Sequence, residues 1–562
     1  MLKAADLLVR SLENEGVEYI FGLPGEENSD VMISLLESNI KFVLCRHEQG
    51  AAFMADVYGR LTGKVGVCLS TLGPGATNLA TGVANANMDR SRLLAITGQK
   101  DSNLLHKESH QNMDVITMFK PITKWNWSIR NADNIPEIVR RAFKIALEEK
   151  PGATHLELPQ DIAKKQSKIK PIEPTEIFRP KANEKLIKEA ANLILSAKKP
   201  IILVGNGCIR ENASEHIRKF VKRTGICSMN TFMAKGVIPD DWNRHLRTIG
   251  IKDADHALLA MKEADVVIAI GLDLVEYSPK SWNSKHDKKI IHIDFTPAEV
   301  DTYYPPDVEI DSDIEYAIDS ILEELERQKD SDPSIEGFPR SDIPKVFQKI
   351  KVEVDERTES FNDDSSYPLK PEKVVFEVRD ALARDDIVLS DVGAHKLWIA
   401  KTYKTYEPNT CIIPNGFCSM GFALPGAIAA KIAKPDKKVV AMTGDAGFLM
   451  NIQEIETAVR NKIHFVSIVW CDNDLGLISL KENDEFGKTS FTSFDNPDFM
   501  YLAKSFGAKG HHPKSAQEFK MVLKESLNDT TVPVIIAADV DYTRNRVLLD
   551  DSYPGYVESL KT

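Results

Sequence analysis

The chain has 562 residues, 43% of them apolar and 27% charged, with 71 Lys and Arg against 83 Asp and Glu. That length suffices for three or four domains, each with its own core. The formal net charge of −12 argues against general affinity for nucleic acid or an anionic membrane surface.

The N-terminal MLKAADLLVRSLENEG reads as a charged amphipathic helix, without the uninterrupted apolar core of a signal peptide. Seven cysteines, odd in number, widely spaced and without a CxxC pair, argue against a disulfide framework or zinc site. They fit reduced thiols in a cytoplasmic protein. Strands are expected over Lys41–Leu44, Val65–Ser70, Leu93–Thr97, Ile201–Val204, Val266–Ile270, Ile290–Ile293, Ile387–Ser390, Val439–Thr443 and His464–Trp470. Between them, Glu184–Ala197 and Pro371–Leu382 carry apolar residues at helical spacing. This alternation implies an α/β protein of doubly wound parallel sheets with helices on both faces. Two polar, proline-bearing stretches, about 165–183 and 328–370, the second around one short helix, read as linkers and divide the chain into units 1–170, 183–330 and 365–562. Pro408 to Ala430 lacks charge for 23 residues, but Pro408, Pro414 and Pro425 make a continuous membrane-spanning helix unsuitable there.

The densest chemistry lies in KKVVAMTGDAGFLMNIQEIETAV followed by HFVSIVWCDNDLGLI. An apolar strand runs into Gly444-Asp445-Ala446-Gly447, with a helical pattern from about Asn451. Small residues at a strand's end let backbone amides approach phosphate oxygens, and a following helix favours anions at its start. A second strand delivers Asp472-Asn473-Asp474, 27 residues after Asp445. Neighbouring parallel strands would bring Asp445 and Asp472 onto one cation, and oxygen ligands suit magnesium better than zinc.

This unit of strand, GDAG, helix, strand and DND resembles the thiamine-diphosphate-binding motif. The resemblance implies cofactor contacts from Gly444, Asp445, Ala446, Gly447 and Asp472. It implies Mg2+ bound by the side chains of Asp445 and Asp472 and the carbonyl of Asp474. Ala446 stands where a second glycine is usual, and Asp472 where Asn is commoner. Thiamine diphosphate needs a carboxylic acid at N1′ of its aminopyrimidine, so that the 4′-imino tautomer can remove the C2 proton. Glu48 precedes a small-residue helix start, Gly50-Ala51-Ala52. Its context, RHEQGAAFMADVYGR followed by GPGATN at Gly73–Asn78, resembles the pyrimidine-binding domain of the acetolactate synthase and pyruvate oxidase family. Glu48 falls on that family's catalytic glutamate, and Pro24, Gly25, Gly73 and Asn78 on its cofactor-binding positions. Ser390–His395 matches the family's diphosphate loop, with Gly393, Ala394 and His395 near the phosphates. Pro414–Pro425 resembles its NG…MGFALP segment, in which Met420 is the apolar wedge that bends the cofactor and the backbones of Cys418 and Met420 meet the pyrimidine. The resemblance spans essentially the whole chain. It further implies a homodimer or homotetramer with the active site at the subunit interface.

Three segments resemble the catabolic, FAD-independent type of acetolactate synthase: SHQNMD at Ser109–Asp114, MFKPITKW at Met118–Trp125, and VEY at Val275–Tyr277 with Pro279, Trp282 and Asn283. The resemblance then implies that pyruvate is decarboxylated and its two-carbon unit condensed with a second pyruvate, or another 2-keto acid, to 2-acetolactate. Gln111 and Lys124 align with family residues near the substrate carboxylates. FAD is not expected, and Gly205-Asn206-Gly207 is weak dinucleotide evidence. Alternatives are a simple 2-keto acid decarboxylase, a carboligase with another acceptor, and a non-catalytic homologue. Leu475–Phe486, which shapes the substrate pocket in the family, matches neither subtype.

Overall fold

A computed structural model describes residues 1–250 and 256–548; the end of the third unit as read from the sequence, 549–562, lies outside the described residues. Among these residues no helix is long and apolar enough to cross a membrane. The uncharged stretch is instead divided between a short strand, Cys411–Ile412, a turn, and the helix Ala423–Ala433.

Three six-stranded parallel sheets form the frame. Strands such as PIILV at Pro200–Val204 and VVIAI at Val266–Ile270 are buried at every residue. That is how β-branched runs behave when helices cover both faces of a sheet. In the first sheet the spatial order is Lys41–Leu44, Tyr19–Gly22, Gly66–Ser70, Leu93–Gln99, Ala153–Pro159, Trp125–Ser128. In the third it is Cys411–Ile412, Ile387–Ser390, Val439–Gly444, Val466–Cys471, Val534–Asp539, Lys509–His511. Counted by position along each unit, both read 2-1-3-4-6-5. The middle sheet runs His245–Thr248, Cys227–Asn230, Pro200–Val204, Val266–Ile270, Lys289–Asp294, Val308–Asp311, which is 3-2-1-4-5-6, the order of dinucleotide-binding folds.

The short helix expected within the second linker is Lys345–Glu359, and its Phe347 and Ile350 are buried in the core of the middle unit beside Leu258 and Met261. One expectation needs correction. The helix expected from about Asn451 begins earlier: a short helix starts at Asp445 and a second occupies Glu454–Arg460.

The first and third units share one core. The helix Glu48–Thr62 starts with His47 Nδ1 accepting the Gln49 amide and ends at Gly63, whose φ of +71° suits only glycine well. It packs on Ala423–Ala433, the helix in the equivalent place of the third unit. Alanines and glycines let the two backbones approach; a Cβ on Gly426 would lie 3.0 Å from Val57 Cγ2. Phe53 and Phe422, both fully buried, meet edge to face at 5.6 Å. Phe53→Ala is expected to cost about 3–5 kcal/mol, the usual penalty for emptying a buried aromatic site, read as a lowered urea midpoint.

Candidate active site

In a doubly wound sheet, ligands gather where the strand order reverses, at the carboxyl ends of the strands. In the first unit that crevice lies between Tyr19–Gly22 and Gly66–Ser70. Pro24 and Gly25 follow the first of these strands; Gly73 follows the second. A Cβ on Gly25 would sit 2.5 Å from Thr71 Cβ, so only glycine allows the two loops this contact. Gly73, at φ +44°, backs onto the carbonyl of Gln111, itself at φ +59° with an exposed side chain. Glu48, buried to 8% exposure, accepts a hydrogen bond from Asn78 Nδ2 at 2.9 Å, and a Cβ on Gly75 would come within 3.3 Å of Glu48 Oε1. Gly25, Glu48, Gly73, Asn78 and Gln111 therefore form one patch.

The same crevice in the third unit lies between Ile387–Ser390 and Val439–Gly444. Gly393 and Gly444 flank the ring of His395; Cβ atoms there would lie 2.8 and 3.2 Å from its Cε1. Burial pushes His395 down to about 3, so the ring is neutral, and its buried Nε2 has no partner. Asp391, within the Ser390–His395 loop but given no role of its own by the motif, ties the segments together. Its carboxylate accepts the amides of Val392, Gly421 and Ala423 at 2.7, 2.9 and 3.1 Å, and Gly447 packs against it. Burial raises it to about 6 despite these bonds. Ala394 opens the helix Ala394–Thr402. Met420 lies between Cys418, at φ +57°, and Gly421, at φ +84°. Cys418 Sγ sits 3.0 Å from the Lys396 ammonium.

Asp445 organises the adjoining turn. One of its oxygens accepts from the amides of Asp472 and Asn473, at 3.1 and 2.9 Å, and from Asn496 Nδ2 at 2.7 Å. The other accepts the Ala446 amide at 2.8 Å. Asp472 is pushed up to about 8 by burial and by the charges of Asp445 and Asp474. The Asp474 carboxylate is occupied by the Ser479 hydroxyl, which leaves its carbonyl for a ligand. Asn496 Oδ1 is buried without a partner. Among the described residues no group of three or more His, Cys, Asp or Glu is preassembled for a metal. Two crowded carboxylates, a carbonyl and the oxygens of a diphosphate are nevertheless a donor set that fits a hard divalent cation, which would relieve the repulsion at Asp472.

Lys124 requires correction. It precedes Trp125–Ser128 and so lies at the amino end of the first sheet, opposite the crevice. Its ammonium donates to the carbonyls of Ile145 and Glu148, both at 2.6 Å, closing the end of the helix Ile135–Leu147, and burial lowers it to about 8. Asn496, 51 residues beyond Asp445, carried no sequence signal because no motif connects the two.

Residues 2–118 match the N-terminal TPP binding domain of thiamine pyrophosphate enzymes, 187–325 the central domain, and 391–538 the C-terminal TPP binding domain. The acetolactate synthase of Bacillus subtilis is 36% identical over 100% of this chain and 97% of its own. The chain belongs to the acetolactate synthase family. A probable acetolactate synthase large subunit of Methanococcus aeolicus is 36% identical over 94% of this chain and 90% of its own. The catabolic acetolactate synthase of Raoultella terrigena is 32% identical over 97% and 96%. In this thiamine pyrophosphate enzyme the matched N- and C-terminal domains carry the two patches described above, and the matched central domain carries neither.

Asn496→Ala should weaken divalent-cation affinity about 10–100-fold, as loss of an outer-shell partner does, measured by Mn2+ binding with thiamine diphosphate present. Lys124→Met should leave kcat and KM within about twofold while lowering Tm, since it removes a helix-end interaction and not a substrate contact.

Proposed function

We propose that the protein is an acetolactate synthase that converts two pyruvate anions and one proton to 2-acetolactate and CO2, with other 2-keto acids able to serve as acceptor. The observation that carries this reading is the pairing of two topologically identical crevices. One holds the buried Glu48 and the other the Asp445–Asp472 turn.

Thiamine diphosphate, when bound, would supply a nucleophilic carbon for the keto group and an acceptor for the electron pair released with CO2. Glu48, oriented by Asn78, would hold the proton at N1′ of the pyrimidine. Asp445 and Asp472, with the Asp474 carbonyl, would hold Mg2+ on the diphosphate, with Gly393, Ala394 and His395 lining it. Met420 would stand between the two rings. Gln111, on the turn beside Gly73, would face the 2-keto acid.

The middle unit supports catalysis without flavin. Its sheet order would place a dinucleotide between Pro200–Val204 and Val266–Ile270. There Gly205 and Gly207 are pressed against Gly271, with Cβ positions 2.3 and 2.7 Å from its atoms. The Asn206 amide, a donor that a diphosphate would use, is taken by Glu276 Oε1 at 2.9 Å, and Thr231 donates to the same carboxylate. A buried acid occupies the place where a dinucleotide would need its anion bound.

Because Glu48 and the Asp445 turn reside on different units, we read the active site as shared between subunits of a homodimer, the minimum assembly. The helix Gly476–Phe486, directly after the metal turn, supports this. None of its residues is buried, and Ile478 and Phe486 are 46% and 63% exposed.

With pyruvate, thiamine diphosphate and Mg2+, acetolactate is expected as product; acetaldehyde in its place would overturn the reading in favour of a simple decarboxylase. Glu48→Gln should bind the cofactor yet lose about two orders of magnitude or more in kcat, the scale of acid–base catalysis. Near-normal turnover of that variant would remove Glu48 from the mechanism.

A further inference from the structure

The loop that delivers Glu48 is held by the third unit of the same chain. Glu454 opens the helix Glu454–Arg460 and is completely buried. Its Oε1 accepts the amides of Arg46 and His47, at 3.1 and 2.9 Å, and its Oε2 accepts the Thr457 hydroxyl at 2.7 Å. Arg46 and His47 are the two residues before Glu48. Two further residues of the same helix grip the same loop: Arg460 Nη2 donates to the Leu44 carbonyl at 2.5 Å, and Glu456 accepts from Arg46 Nε at 2.6 Å. From the other side Gly50 closes on Glu454, where a Cβ would lie 2.8 Å from Oε1. Burial raises the Glu454 carboxyl to about 7 despite these bonds, and losing this acceptor leaves two amides of one short loop unpaired.

We propose that Glu454 is a positioning residue, which clamps the Leu44–His47 loop so that Glu48 is presented at the distance proton transfer to the cofactor requires. The inference rests on the thiamine reading of the site. The Glu454 carboxylate bonds to Arg46 and His47 and not to Glu48 itself; it acts through the backbone. A shift of about 1 Å in an acid–base group is enough for losses of the order of 10²-fold, so the clamp has ample leverage on rate.

The step that Glu48 serves can be read apart from overall turnover, as hydrogen–deuterium exchange at C2 of bound thiamine diphosphate after acid quench. Glu454→Ala should slow that exchange by about tenfold or more while cofactor affinity, followed by tryptophan fluorescence, stays within about threefold. Glu454→Gln retains an acceptor oxygen and should recover most of the rate. In the cofactor-free protein, amide exchange of residues 44–50 should accelerate in Glu454→Ala, which tests the clamp with no catalysis involved. Should Glu454→Ala prove unstable, Gly50→Ala, which crowds the same carboxylate, should slow C2 exchange under conditions where the variant stays folded, with a Tm lowered by the crowding. C2 exchange at the parent rate in these variants, or cofactor affinity lost in proportion to it, would overturn the proposal. If instead Glu48→Gln left C2 exchange intact, the failure would lie with the thiamine mechanism and not with the clamp.

Discussion

The contact between the helices Glu48–Thr62 and Ala423–Ala433 is the one on which the rest of the molecule depends. Each follows the second strand of its unit, and each begins next to a functional turn, Glu48 in one case and the Met420–Phe422 segment in the other. Burying Phe53, Phe422 and the alanines between them removes apolar surface from both units at once. Their rim is polar but satisfied. Arg60 bridges Asp56 and Asp89, and Asp89 accepts the amides of Asn415 and Gly416 from the third unit. A buried charge group of this kind contributes little net stability, yet removing one member would strand the others. It fixes how the two units sit, and with them the two crevices.

The shared order 2-1-3-4-6-5 places the crevices identically in the first and third units, so their different chemistry comes entirely from the loops. The first offers a carboxyl group beside small residues; the third offers glycines, amides and two acids. The middle unit carries the contrasting lesson. Its order is the dinucleotide-binding one, but there Gly205 and Gly207 press on Gly271 and the Asn206 amide is taken by Glu276. Sheet order locates a crevice without determining what occupies it.

Much of the frame was legible in the sequence because parallel strands buried on both faces leave unbroken β-branched runs, as at Pro200–Val204 and Val266–Ile270. Ala153–Pro159 escaped because His155 and Glu157 interrupt its pattern. Both are buried in the sheet and paired across strands, His155 Nε2 with Thr97 at 2.9 Å, although its Nδ1 has no partner, and Glu157 with Gln99 at 2.9 Å. A polar residue satisfied across strands looks like a surface residue when only one strand is read. A short helix was legible within the second linker, but its attachment to the middle core was not, since Phe347 and Ile350 are buried there among charged residues, with Val346 and Val354 partly buried beside them. At the candidate site, Asp445 and Glu48 stood out because motifs carry them. Asn496, Asp391 and Glu454 act through bonds that close only after folding. Lys124 was misassigned because alignment to a relative says nothing about which end of a sheet a residue occupies.

The clamp at Glu454 bears on how two active sites of a dimer would influence each other. In the assembly proposed above, a chain gives its Asp445 turn to one site and Glu48 to the other. The helix Glu454–Arg460 follows closely on that turn and grips the Glu48 loop, so both sites meet in a few residues of one chain. Energetic coupling between sites, however, requires an element with two arrangements of comparable energy. Nothing in the clamp offers a second arrangement. Glu454 is fully buried, its carboxylate is engaged by two amides and a hydroxyl, and Gly50 leaves it no room to turn. Such a connection transmits position and not a change of state. Its consequence is that each Glu48 is held by the protein before cofactor arrives.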